Sequence, residues 1–172
     1  MIRRIVQIVL LACALVVLPQ QVQAQSKVQE SKQAVDLTYA FLTKSTTSSL
    51  GADFTYWRQF RTTETYSMRW LAEMGFTKFD GFTLTTFQGG ARWVFAMKDQ
   101  PKFRPFVHVL AGIEHCCGEN GFSIQPGGGL FIAYNDSFDI IARVDFRHVN
   151  YDGGSDTHQR YSVGVTFPVG KR

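Results

Sequence analysis

The chain has 172 residues, a hydrophobic content of 45% and a formal charge of +4 from 18 basic and 14 acidic residues. That length suits one domain, and the mild basic balance comes without a lysine or arginine cluster, so nucleic acid is excluded as the expected partner. Three cysteines, two of them adjacent, exclude a disulfide-stapled scaffold.

Residues 1–24 read as a secretory signal peptide. "MIRR" sets two arginines ahead of an apolar run from Ile5 to Leu18, and "VQAQ" offers small-residue cleavage after Ala24. The run is short for a spanning helix, which needs about 20 apolar residues. Cys13 lies within it and leaves with the leader. Cleavage takes 24 of the 172 residues, leaving 148, and lowers the charge from +4 to +2, because Arg3 and Arg4 go and no acidic residue does.

Residues 25–33 are a polar entry, and residues 34–170 are the expected barrel domain. In the first strand Val35, Leu37, Tyr39 and Phe41 alternate with Asp36, Thr38 and Ala40, the period of a strand between two environments. "TKSTTSS" reads as a loop. A second strand fits Leu50 to Arg58, with Leu50, Ala52, Phe54 and Tyr56 on one face. In the third, Tyr66, Met68, Trp70, Ala72 and Met74 oppose a face that carries Arg69 and Glu73. The fourth lies within 83–96, where Phe87, Gly89, Ala91, Trp93 and Phe95 oppose Gln88 and Arg92.

After the turn "MKDQPK", the fifth strand sets Val107, Val109, Ala111 and Ile113 against Phe106, His108 and Leu110. "HCCGENG" reads as a loop. The sixth strand runs from about Phe122 to Tyr134, and its "QPGGGL" centre suggests a bulge or sharp curvature, so the pattern assigns no parity through it. The seventh, "DIIARVDFRH", places Ile140, Ala142, Val144 and Phe146 opposite Arg143, Asp145 and Arg147. "VNYDGGSDTHQ" reads as the longest and most polar loop. In the eighth strand Tyr161, Val163, Val165, Phe167 and Val169 oppose Arg160, Ser162, Gly164 and Thr166.

Connections this short join antiparallel neighbours, and eight such strands close into a barrel that side chains can fill. The alternation is explained if the apolar parity meets lipid and Arg69, Glu73, Arg92, Arg143, Asp145, Arg147 and Arg160 meet one another inside. An arginine on the lipid side would cost roughly 2–4 kcal/mol at the membrane midplane. The expected fold class is therefore all-β: an eight-stranded antiparallel transmembrane up-and-down β-barrel preceded by a signal peptide. Tyr56, Tyr66, Trp93, Tyr134 and Tyr161 are its candidate interfacial aromatics. The mirror orientation gives a secreted soluble barrel, in which Tyr161, Val163, Val165 and Phe167 line a cavity for a hydrophobic ligand.

The segments "GGARWVF", "KFRPFVHVLAGI", "PGGGLFIAYNDSFDIIARVDFRH" and "RYSVGVTF" resemble the small outer-membrane β-barrels of the OmpA-like and OmpX-like kind. The resemblance implies both termini on the periplasmic side, four external loops, a place in the bacterial outer membrane, and contact with outer-membrane lipid, lipopolysaccharide and the barrel assembly machinery. The domain is porin-like in its wall only, because eight strands enclose a side-chain-filled core rather than an aqueous channel; a monomer is expected, although the residues fix no oligomeric state. One departure is the end of the chain: such families finish on an aromatic residue, whereas here "PVGKR" follows Phe167.

In this topology His115, Cys116 and Cys117 fall in the third external loop, His158 in the fourth and His148 at its base. Imidazoles and thiolates ligate zinc or copper, but this spacing fixes no tetrahedral site, and no metal or other cofactor is assigned. The thiols of Cys116 and Cys117 stay open between free, bridged and intermolecular states. Asp152 and Asp156 read as a hydrated turn. His108 has inward parity and reads as a buried hydrogen-bonded residue near Glu114.

"FRHVNYDGG" also resembles slightly the histidine segment of outer-membrane lipid A deacylases. His148 matches the histidine, but Asn150 stands where the serine nucleophile is expected, so an acyl hydrolase remains only an alternative and no catalytic residue is assigned. The expected function is nonenzymatic: envelope structure, or contact with an extracellular ligand through the external loops.

Overall fold

The computed structural model describes residues 31–169 apart from 45, 46, 80 and 98. The expected leader, residues 1–24, and most of the polar entry lie outside the described residues. Eight strands close into a barrel in chain order: β1 (Gln33–Lys44), β2 (Thr47–Thr62), β3 (Tyr66–Phe79), β4 (Phe82–Phe95), β5 (Phe103–Cys116), β6 (Glu119–Ala133), β7 (Asp139–Tyr151) and β8 (Gly154–Pro168). Every neighbouring pair is antiparallel. Closure falls on β1, where Leu37 faces Phe54 of β2 on one side and Val165 of β8 on the other.

The alternation decides which face is which. Leu37, Phe54, Trp70, Phe87, Val109, Ile124, Val144 and Val163 are exposed on the outside, while Asp36, Asp53, Glu73, Arg92, Arg143 and Arg160 are buried inside. Val163 is 55% exposed and its neighbour Ser162 only 6%. The soluble-calyx orientation is thereby overturned: Tyr161, Val163 and Phe167 point away from the interior, and the space they would have lined holds guanidinium and carboxylate groups.

The connections differ from those expected. At the rim away from the termini, the far rim, "HCCGENG" and "VNYDGGSDTHQ" are continuous ladder rather than long loops: Cys116 pairs with Glu119, Tyr151 with Gly154 and His148 with Thr157. "TKSTTSS" likewise belongs mostly to β1 and β2, with Leu42 paired to Ser49. Longer connections, between β4 and β5 and between β6 and β7, lie at the near rim beside the termini. The physical reason is that these stretches carry polar residues on both faces, His115, Asn120, His148 and Thr157 outside and Glu114 and His158 inside, so their composition imitates a loop. Cys117 and Gly118, with φ of 57° and 85°, make the tight turn that a two-residue hairpin requires.

The bulge also sits elsewhere. Register does not shift through "QPGGGL", with Val109 opposite Pro126 and Gly127 opposite Asp145, although the ladder to β7 skips Gln125 and Pro126. It shifts instead in β2, between Gln59 and Arg61. The β6 glycines serve clearance: a Cβ on Gly127 would overlap the Asp145 carboxylate and lie 2.9 Å from His108 Nε2.

Candidate functional site

The interior is built in three layers. Nearest the termini, Asp36 accepts from Arg92 Nη1 at 2.8 Å, from Trp57 Nε1 at 2.9 Å and from the Thr166 hydroxyl at 2.9 Å. Its surroundings are aromatic. Arg69 lies 3.8 Å above the Trp57 ring, Arg92 lies 4.5 Å from Phe106, and Phe106 packs on Phe131 at 4.8 Å. Burying a guanidinium against ring faces offsets part of its lost hydration. Arg104 and Asp139 join as an ion pair towards the rim.

The middle layer is a ring of charge. Arg143 donates to Glu73 at 2.6 Å and to Asp53 at 3.1 Å, while Arg160 donates to the other oxygen of each, Glu73 at 2.8 Å and Asp53 at 2.8 Å. Arg160 Nε also reaches Asp145 at 2.9 Å. Two forks shared between two carboxylates satisfy the lone pairs that make buried ions costly. His108 joins here through Asp145, its Nε2 2.9 Å from Oδ1, and not through Glu114 as its position in β5 suggested.

Glu114 belongs to the layer at the far rim. It accepts from Arg147 at 3.1 Å and from the Tyr151 hydroxyl at 2.6 Å, and Arg147 Nε donates to Gln125 at 2.6 Å. Burial, and then the hydrogen bond to Glu114, push the Tyr151 hydroxyl well above its ordinary value. His158, expected in an external loop, is instead buried in the wall, with Nε2 4.0 Å from Glu114 and 3.9 Å from Asp156.

All seven inward charges expected from the alternation are buried in this network. Asp36, on the polar parity of the first strand, is buried with them, and so are Asp53 and Trp57, which the pattern alone does not mark because a lone carboxylate or tryptophan in a mixed strand looks like a surface residue. Their inward parity was the available signal. Among the described residues, six buried arginines (69, 92, 104, 143, 147 and 160) face buried Asp36, Asp53, Glu73, Glu114 and Asp145 and half-buried Asp139. Side chains therefore occupy the bore at all three levels.

The remaining candidates are on the surface and apart. His115 Nδ1 lies 2.8 Å from Asn120 Oδ1, and His148 Nδ1 lies 2.9 Å from the Thr157 hydroxyl on the outer face. Asn150 is exposed two residues beyond His148. Cys116 and Cys117 are free thiols with sulfurs 2.8 Å apart. Burial, followed by the neighbouring thiol and the carboxylates of Glu114 and Glu119, pushes Cys116 up to about 12. No group of three or more potential metal ligands occurs among the described residues.

No protein-family model matches the chain, and no curated protein matches it in sequence. Similarity appears at the level of fold. Neisserial surface protein A superposes with a TM-score of 0.56 at 13% identity, covering 80% of this chain and 96% of that one. The outer-membrane enzyme PagL gives 0.56 at 16% identity, covering 78% and 99%. The β domain of the Bordetella autotransporter BrkA gives 0.50 at 12% identity, covering 81% and 68%. The chain is thus an eight-stranded closed β-barrel that resembles small outer-membrane barrels in architecture.

Proposed function

We propose that the chain is a nonenzymatic β-barrel of the bacterial outer membrane with an envelope-structural role. The observation that carries this is the pairing of an apolar exterior with a charged, internally compensated bore. Closure leaves no strand edge in hydrocarbon, where unpaired backbone groups cannot be hydrated. Outward residues turn polar at the far rim, at His115, Asn120, His148, Asn150, Ser155 and Thr157, which are exposed. Strands of 12 to 16 residues exceed the ~9–11 needed to cross a bilayer, so the ladder projects beyond it as a polar collar.

The loop-contact version of the role has less support. Among the described residues the far-rim turns at 117–118 and 152–153 are two-residue hairpins that offer little surface for a ligand, and any contact there falls on the collar. Transport is opposed by the filled bore. Likeness to a surface protein and to an enzyme at the same TM-score does not choose between their roles. For the acyl-hydrolase alternative, His148 has a threonine hydroxyl beside it rather than the expected serine.

Cell fractionation tests the placement: the mature chain should separate with outer membranes, need detergent for release, and migrate differently in electrophoresis before and after boiling. Recovery as a soluble periplasmic protein would overturn it. Release of fatty acid from envelope lipid above a vector control, lost in His148→Ala, would overturn the nonenzymatic role.

A further inference from the structure

We propose that the outer face of β2–β5 binds one anionic phospholipid, with its phosphate between Arg58 and Arg61 and an acyl chain in the groove floored by Ala72, Gly89 and Ala111. The inference rests on the membrane placement proposed above.

The groove follows from register. Ala72 pairs with Gly89 and Gly89 with Ala111, so three small residues form one row across three strands. Phe54, Met74, Phe87 and Ile113 stand along one side, and the hollow measures about 610 Å³. Successive outward rows on a strand are about 6.8 Å apart, so one row of small residues leaves a trough the width of a single hydrocarbon chain. A helix, about 10 Å across, is too wide for it.

The headgroup end comes from the bulge, which is a separate observation. Gln59 pairs with inward Arg69, whereas Arg61, two residues on, pairs with outward Met68. Phe60 is the extra residue, and the parity of β2 flips around it. Arg58, Phe60 and Arg61 are consequently all exposed on the outside at the near rim. Phe60 stacks on Trp70 at 4.7 Å, one step along β3 from Ala72. Among the described residues neither arginine is paired with a carboxylate, in contrast to the compensated arginines of the bore. Two unpaired guanidinium groups and an aromatic stack at the edge of an apolar groove match an anionic phosphate above its acyl chain.

The test uses the full mature chain in phosphatidylcholine nanodiscs that contain a minor fraction of phosphatidylglycerol, with bromine on the acyl chains of one lipid or the other. Trp93→Phe leaves Trp70 as the outward tryptophan and Trp57 inside as a shielded reference. Brominated phosphatidylglycerol should quench Trp70 with about tenfold higher apparent affinity than brominated phosphatidylcholine. Arg58→Gln with Arg61→Gln should abolish that preference. Gly89→Leu should weaken quenching by both lipids, and it is tolerated by the fold because a Cβ there meets only Leu71 O at 3.6 Å. Equal quenching by both headgroups, or a preference that survives the double substitution, overturns the site. If neither brominated lipid quenches Trp70, the membrane placement itself fails along with it.

Discussion

Arg160 on β8 donates through Nη2 to Glu73 on β3 at 2.8 Å, crossing the bore between strands that do not pair. Arg143 reaches the second oxygen of the same carboxylate at 2.6 Å, and the Thr55 hydroxyl donates to it at 2.8 Å. Glu73 thus ties β2, β3, β7 and β8 together. Glu73→Leu takes one carboxylate from each of two buried guanidinium groups and leaves them to share Asp53 and Asp145, and a loss of about 3–5 kcal/mol is expected in urea unfolding of the detergent-solubilised protein. The double variant Glu73→Leu, Arg143→Met should recover a large part of that loss, because one uncompensated charge leaves with its partner. A double variant no more stable than the single one would show that Arg143 is not the main creditor of Glu73.

The orientation of the wall makes a second prediction. Val163→Arg places a guanidinium on the apolar exterior, at an expected cost of roughly 2–4 kcal/mol in a bilayer. Thr157→Arg makes a comparable change on the polar collar and should stay within about 0.5 kcal/mol. Unfolding in lipid vesicles compares the two. Equal effects would mean that the exterior does not meet hydrocarbon.

Period-two patterning made the wall legible because each strand separates two chemically opposite surroundings. Arg143 and Val144 could be assigned to opposite faces from their order alone. What it could not carry was length: His115, Asn120, His148 and Thr157 are polar because the outer face leaves the apolar belt, and a polar strand has the composition of a loop. Partner choice was illegible for a related reason. His108 and Glu114 share a strand face, yet the neighbour that matters to His108 is Asp145, two strands away in the same row, reached across Gly127, which has no side chain to keep them apart. The bulge at Phe60 left no glycine or proline to mark it, whereas the glycines of "QPGGGL" drew attention to a register that never shifts.

Those glycines support a third prediction. Gly127→Ala drives a methyl into the Asp145 carboxylate and against His108, and about 1–3 kcal/mol of destabilisation is expected from overpacking. Gly89→Ala adds the same methyl on the outside, where Leu71 O at 3.6 Å is ordinary contact. Both substitutions restrict the unfolded chain equally, so that effect cancels between them. Comparison of their unfolding midpoints isolates the space requirement, and similar midpoints would return the β6 glycines to a conformational role.

The far-rim thiols separate by chemistry as well as by exposure. Cys117 is exposed, while Cys116 is half-buried and its thiol is pushed up to about 12 by burial, the adjacent sulfur and two carboxylates. Because the folded value exceeds the unfolded one, this burial favours the fold below the ordinary thiol range, and that contribution is lost as the pH rises from about 8.5 towards 12. Alkylation follows the thiolate. In Cys117→Ser the burial and the carboxylates of Glu114 and Glu119 remain, so iodoacetamide labelling of Cys116 should be slow at pH 8 and still climbing beyond pH 10. Denaturant should restore an ordinary profile that levels off about one unit above pH 8.5. A folded-state profile that already levels off there would mean that Cys116 is as hydrated as a free thiol and that the carboxylates at the far rim do not act on it.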